Sequence, residues 1–344
     1  MRELSLILKP LSWLYGLILR VRHYSYDRGF FFSKTFDQPI IKIGNLSLGG
    51  SGKTPMTVYL AKSLSRENNV YILSRGYGRQ TKGFHEVLDT SHYLDVGDEP
   101  LMMKLKLPNV KIFVSEDRVH GIESINQLDS QKKVILLDDS LQHRRLRGGY
   151  SILLTDYNQP FFKDELLPLG KLRDVISRAR IVDMVVVTKA EISERSNMDF
   201  VLNLEQFTTT KAYFSGIHYL PYKNLITGYE VTLKHQVMAI TAIANPSLFY
   251  DKIRLSANLF HSIEYKDHYK FREFDVKEWL KLCNSNQIQQ IIVTEKDAVK
   301  LKDFKDLFLK NEIELVILPI EPYFEPNKEI EILNKIDLYI NQYS

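Results

Sequence analysis

The chain has 344 residues, 44% hydrophobic and 26% charged, with a formal net charge of +4 and one cysteine. This composition excludes a disordered chain and leaves enough apolar side chain for one or two ordinary cores. It also excludes a strongly cationic nucleic-acid coat, an internal disulfide and a cysteine zinc site, so Cys283 reads as a packing residue.

The chain opens on an apolar run from Leu4 to Val21. Lys9 and Pro10 interrupt it, Trp13 and Tyr15 lie within it, and Arg20, Arg22 and His23 mark its end. It is shorter than the roughly 20 apolar residues of a spanning helix and lacks the small-residue cleavage site of a secretory signal. The run predicts a membrane-associated helix with a basic flank, lying on anionic lipid. A short span and a helix docked on the protein body are the alternatives.

Short β-branched runs follow at residues 39–43, 70–73, 110–114, 134–137, 152–154 and 181–187, with candidate helices between them at 54–65 and 118–127. Strands that are continuously apolar and alternate with helices predict an α/β fold, a P-loop NTPase-like parallel sheet flanked by helices. Beyond Lys211, residues 212–219 and 229–240 flank the loop 221–228 and are expected to pair as a β-hairpin hinge. A helix at 247–255 and strands at 290–293 and 315–318 predict a smaller C-terminal α/β domain. The expected organisation is an N-terminal membrane-associated helix and connector (1–35), a P-loop kinase domain (36–211), a hairpin hinge (212–240) and the smaller domain (241–344).

The segment IIKIGNLSLGGSGKTPMT at 40–57 runs from an apolar strand through a glycine-rich loop into a helix. Glycines let backbone N–H groups approach phosphate oxygens, and the helix N-terminus adds positive dipole character there. Gly49, Gly50, Ser51, Gly52, Lys53 and Thr54 are therefore the candidate ATP cradle. Lys53 reaches the β- and γ-phosphates and the Thr54 hydroxyl ligates Mg²⁺. Ser47 stands where the strict pattern has glycine. The strand 134–137 ends in Asp138 and Asp139, a second candidate Mg²⁺ element. Arg144, Arg145 and Arg147 form a local basic cluster, open to both a solvated-loop and an anion-binding reading.

The loop GNLSLGGSGKTP resembles that of the tetraacyldisaccharide 4′-kinases, the lipid A 4′-kinases of Gram-negative bacteria. Further blocks resemble that family in the same order: SRGYGR at 74–79, VGDEP at 96–100, Arg118, LDDSLQHRRL at 137–146 with Ser140 in place of a glycine, LPLGKLRD at 167–174, KDHY at 266–269 and VTEKDAVK at 293–300. The resemblance covers residues 10 to 300. It implies transfer of the ATP γ-phosphate to the 4′-hydroxyl of a tetraacyldisaccharide 1-phosphate at the cytoplasmic face of the bacterial inner membrane. ATP and Mg²⁺ are the implied cofactors; neither nucleic acid nor an obligate protein partner is expected.

By the same resemblance Asp98 pairs with His268 as an acid–base dyad. Read alone, without the resemblance, Asp98 reads as a helix N-cap before Glu99 and Pro100, and His268 as a surface loop histidine. Gln142 and His143 follow the acidic pair and are expected in the same cleft. Arg75, Arg118 and Arg173 are candidates for phosphate contacts, since a guanidinium fork suits them. VVVTKAE at 185–191 leaves a second reading, a membrane-associated P-loop GTPase or ATPase switch that recruits a partner, although Glu191 stands where a guanine-reading motif has Asp.

Overall fold

The structure is a computed structural model that describes residues 2–194 and 197–343. In chain order, helix α1 (Arg2–Asp27) leads to β1 (Ile40–Asn45), α2 (Lys53–Leu64), β2 (Val70–Ser74), β3 (His85–Val87), α3 (Tyr93–Val96), α4 (Asp98–Lys106), β4 (Lys111–Val114), α5 (Arg118–Leu128), β5 (Val134–Leu137), β6 (Tyr150–Asp156), β7 (Met184–Thr188), α6 (Met198–Glu205) and β8 (Ala212–Phe214). These strands form an eight-stranded sheet in the order β3-β4-β2-β5-β1-β6-β7-β8, parallel throughout except for the edge strand β3. The inner strands are buried along nearly their whole length, which is why they read as unbroken apolar runs.

The remaining chain forms β9 (Gly216–Tyr219), β10 (Lys223–Asn224), β11 (Gln236–Thr241), α7 (Ser247–Arg254), β12 (Asn258–Glu264), α8 (Glu273–Ser285), β13 (Gln290–Thr294), α9 (Glu295–Leu301), α10 (Lys305–Lys310), β14 (Glu314–Leu318), β15 (Ile320–Tyr323) and α11 (Pro326–Ile340). A second sheet has the order β10-β14-β13-β11-β12, with β11 to β14 all parallel.

The connection between the sheets differs from the expected hairpin. Residues 212–219 and 229–240 do not pair with each other. β8 completes the first sheet on β7, β9 pairs antiparallel with β15, and β11 is an inner strand of the second sheet. The antiparallel link is thus made by segments about a hundred residues apart. The apolar content that suggested a hairpin instead reflects burial of β11, five of whose six residues are buried.

The last helix also departs from the expected C-terminal unit. Ile332, Ile336 and Ile340, spaced by four, bury one stripe of α11 in the core formed by β1, β2, α2 and α4. The Tyr339 hydroxyl bonds the backbone of Ile40 at 3.2 Å. The second sheet has its own core around Trp279, Phe308 and Ile291. Cys283 lies fully buried in it, as a packing residue does.

Candidate active site

In a parallel sheet, ligands meet the carboxyl ends of the strands, above all where the strand order reverses. β1 lies at such a point, between β5 and β6. The loop after β1 and the acids after β5 consequently emerge side by side. The second sheet turns the carboxyl ends of its own parallel strands toward the same space. Between them lies a cleft of about 610 Å³, lined from one side by residues 47–55, Arg75, Asp98, Glu99, Asp138 and Asp139 and from the other by residues 243–245, His268 and Lys296.

The phosphate loop is built as its glycines require. Gly49 (φ 112°) and Gly52 (φ 79°) occupy left-handed backbone, and Gly52 caps α2. The Thr188 hydroxyl donates to the Ser51 carbonyl at 3.0 Å, fastening the loop to β7. Lys53 donates to Asn45 Oδ1 at 3.3 Å and lies 4.0 Å from Asp139.

The acids divide into two environments. Arg173 forms a two-pronged ion pair with Asp139. Burial alone would raise Asp139, but that hydrogen bonding and the charges of Lys53 and Arg173 hold its carboxyl below the usual range. Asp138 is buried and accepts from Ser74 at 3.1 Å and Thr57 at 3.3 Å. Burial, with Glu99 and Asp139 adding to it, pushes Asp138 up to about 6. Thr54 Oγ1 donates to Glu99 Oε2 at 3.0 Å. A hydroxyl and two crowded carboxylates are the oxygen donors that a hard divalent cation takes, and such a cation would relieve the crowding that raises Asp138. Among the described residues, no three acidic, histidine or cysteine side chains cage a metal by themselves. The Thr54 hydroxyl with Glu99 and Asp138 fits Mg²⁺, which is commonly held by few protein ligands together with phosphate oxygens and water. The sequence reading passed over Glu99. Its signal lay in the GDEP block, where the acid follows Asp98 into the first turn of α4.

Asp98 and His268 come together across the cleft, 170 residues apart in the chain. His268 Nδ1 lies 3.0 Å from Asp98 Oδ2 and 3.2 Å from Oδ1. Gly97, not Asp98, is the cap residue of α4. His268 is no free surface residue: its backbone is left-handed (φ 60°), its ring packs on Tyr77 at 4.8 Å, and Lys296 Nζ sits 3.1 Å from Nε2. Lys296 also pairs with Glu99 at 3.0 Å and Asp267 at 2.9 Å. Burial opposes charge on both members of the dyad. For Asp98 the hydrogen bond from His268 and the charges of Lys296 and His268 outweigh it, and for His268 the hydrogen bond and attraction of Asp98 do, leaving Asp98 lowered and His268 raised.

Three candidates leave the cleft wall. Arg118 is 1% exposed and donates to the backbone carbonyls of Ser115 and Asp138, the latter at 3.0 Å, so it braces the end of β5 from beneath. Gln142 donates to the Asn45 carbonyl at 2.7 Å. His143 lies behind the loop, where burial and the nearby Arg118 and Arg75 push its imidazole down to about 3 and keep it neutral. Of the three arginines, only Arg75 and Arg173 line the cleft. Arg144 and Arg145 in the basic cluster pair with Asp27 and Asp117. Lys189, from the segment that suggested guanine reading, pairs with Asp156 at 2.7 Å.

Helix α1 docks beside this site through small and polar groups. Ser12 donates to the Leu166 carbonyl, Tyr15 to that of Arg173 and Arg22 to that of Gln142, and His23 meets Asp174 at 2.6 Å. Gly16 faces Leu166, where an added Cβ would come within 2.8 Å. Its apolar face points outward instead: Leu11, Trp13, Leu14, Leu17, Ile18, Val21 and Tyr24 are all exposed. The part of the apolar run from Leu4 to Ile7 lies outside the described side chains. No described helix is long and apolar enough to cross a membrane.

The family model for Tetraacyldisaccharide-1-P 4′-kinase matches residues 4–337. The tetraacyldisaccharide 4′-kinase of Bacteroides thetaiotaomicron is 34% identical, over 97% of this chain and 93% of its own. That of Flavobacterium johnsoniae is 34% identical over 98% of each chain. A crystal structure of LpxK from Aquifex aeolicus in complex with ATP shares the fold at a TM-score of 0.76 and 29% identity, covering 98% of this chain and 99% of that one. A P-loop, an acidic strand end and a facing second sheet, together with full-length matches of this kind, establish that the chain belongs to the tetraacyldisaccharide-1-P 4′-kinase family.

Proposed function

We propose that Asp98, oriented by His268, accepts the proton of the 4′-hydroxyl of a tetraacyldisaccharide 1-phosphate as that oxygen attacks the γ-phosphorus of ATP. The enzyme is an ATP-dependent kinase of lipid A biosynthesis. The bond from phosphorus to the bridging oxygen of ADP breaks as the new O–P bond forms. The observation that carries the assignment is the 3.0 Å contact between His268 Nδ1 and Asp98 in the cleft that holds the phosphate loop. Lys296 lies against Nε2, so the histidine faces the carboxylate through Nδ1 and leaves the free carboxylate lone pairs for the acceptor proton.

Phosphoryl transfer depends chiefly on positioning and charge stabilisation. Lys53 and the loop N–H groups supply charge at the phosphates. Thr54, Glu99 and Asp138 are the residues that would hold Mg²⁺, which offsets charge on the phosphate oxygens when bound. Arg75 lines the cleft and makes no side-chain hydrogen bond or ion pair among the described residues, and so is available to a phosphate. Helix α1 lays its apolar face on the membrane and holds the cleft beside the lipid from which the acceptor comes. A nucleotide switch is not favoured, since it needs no acid–base pair in its cleft.

The test is a double-mutant cycle on lipid-phase label transfer from γ-labelled ATP. Asp98→Ala and His268→Ala each lower kcat by about 100-fold or more, and the double variant is little worse than Asp98→Ala alone. Losses that multiply in full would separate the two residues and remove the dyad.

A further inference from the structure

Beneath the cleft, helix α9 carries a buried ion pair that makes no hydrogen bond to Asp98 or His268, although the Lys300 charge helps to lower Asp98. Asp297 and Lys300 lie one turn apart on α9, with side chains 0% and 1% exposed and 2.7 Å between Oδ1 and Nζ. Burying two charges is costly and is repaid only when the remaining donors and acceptors are also satisfied, so such a pair is a weak stabiliser compared with an apolar filling. Its bonding partners indicate what it does. Asp297 Oδ2 accepts from the Thr241 hydroxyl at 2.9 Å, the Ala242 N–H at 3.0 Å and the Thr294 hydroxyl at 2.7 Å. Lys300 Nζ donates to the Tyr269 carbonyl at 3.2 Å and sits 4.8 Å from the centre of the Phe271 ring.

Those partners are the ends of three segments. Thr241 and Ala242 lead into residues 243–245, Thr294 leads into Glu295 and Lys296, and Tyr269 follows His268. Each of these segments lines the cleft. One buried pair therefore fixes, relative to one another, three strand-end segments through which the second sheet reaches the site. The loop at His268 has the greatest need of it, because a non-glycine residue at positive φ is uncommon even for histidine and its backbone gains from being held.

We propose that Asp297 and Lys300 are positioning residues for phosphoryl transfer: the pair pins the backbone after His268 to the strand ends at Ala242 and Thr294, and so sets the approach of the imidazole to Asp98. This rests on the reading of His268 as the partner of Asp98. A displacement of about 1 Å at a reacting group costs on the order of 100-fold in rate.

The test replaces the pair by the near-isosteric neutral pair Asp297→Asn with Lys300→Met, in the full chain, alone and combined with His268→Ala. The expected result is a folded enzyme with wild-type KM for ATP and kcat lowered by about 10- to 100-fold. With His268→Ala already present, the neutral pair should lower kcat no further. A folded neutral-pair enzyme with wild-type kcat overturns the proposal, and so does an equal loss in both backgrounds. Should the neutral pair fail to fold, Thr241→Val, which removes one donor from Asp297 and leaves the ion pair, takes its place. Severalfold lower kcat at unchanged KM supports the proposal, and unchanged kcat overturns it. Wild-type turnover by His268→Ala alone would overturn the dyad itself, a different outcome from any of these.

Discussion

Lys53 meets the site through two weak contacts, Asn45 at 3.3 Å and Asp139 at 4.0 Å, and neither fastens it to the core. Its removal therefore leaves the fold intact and withdraws a fixed positive charge from the phosphates. Lys53→Ala is expected to lower kcat by about 100- to 1,000-fold, the scale of losing one charge-stabilising donor, with little change in thermal midpoint. Turnover and calorimetry on the same preparation check both halves. Arg118 shows the limit of judging an arginine by its sequence neighbourhood. It follows a strand in a phosphate-binding fold, yet its guanidinium is spent on two backbone carbonyls beneath the acids. Glu99 shows the reverse. It was hidden beside a more conspicuous aspartate, and only the fold brings its carboxylate to the Thr54 hydroxyl.

Helix α1 inverts the usual arrangement of a surface helix, docking by hydrogen bonds and exposing its apolar face. A large apolar side chain left in water forgoes about 1.5–3 kcal/mol relative to full burial, and seven of them on one helix are what supports the proposed contact with lipid. Replacing Trp13, Leu14, Leu17 and Ile18 by serine should lower partitioning onto anionic vesicles by about 100-fold or more while leaving ATP turnover on a detergent-dispersed acceptor close to normal. Vesicle sedimentation measures the first and label transfer the second; unchanged sedimentation would assign membrane contact elsewhere. Among the other elements, β2, β5 and β7 were legible because burial on both faces makes a strand uniformly apolar. β12 was not, because this edge strand, NLFHSIE, has no fully buried residue and carries no such signature. The phosphate loop was legible from local chemistry alone. The pairing of β9 with β15 was not, because four-residue strands a hundred residues apart leave no periodicity to read.

At the scale of the molecule, Asp98 and His268 also bridge the two sheets. His268 is raised from 6.5, so its share of stability is fully present below that value and is lost as pH rises through the folded pKa. Asp98 is lowered, so its share is present above the ordinary carboxylate range and is lost as pH falls through its folded pKa. The bridge holds best between these limits. The thermal midpoint of the wild type should exceed that of His268→Ala most at mildly acid pH, and the gap should narrow above neutrality. A gap that widens with alkali would mean that the histidine sits there uncharged.

The pairing of Tyr219 with Ile320, and the return of α11 to the first core, have a topological consequence. The second sheet is an insertion: the chain leaves its host at one strand and re-enters at the neighbouring one, so both severed ends lie side by side. Two antiparallel strands resist torsion more than a single linker does, which favours bending over twisting as the motion of the inserted unit. Adjacent ends also make excision feasible. Residues 1–219 joined by a short glycine linker to 320–344 should fold cooperatively and bind ATP through the intact phosphate loop. Lacking His268, this host should show no lipid phosphorylation above that of His268→Ala. Failure of the shortened chain to unfold in one sharp calorimetric transition would show that the guest, and not α11, completes the host.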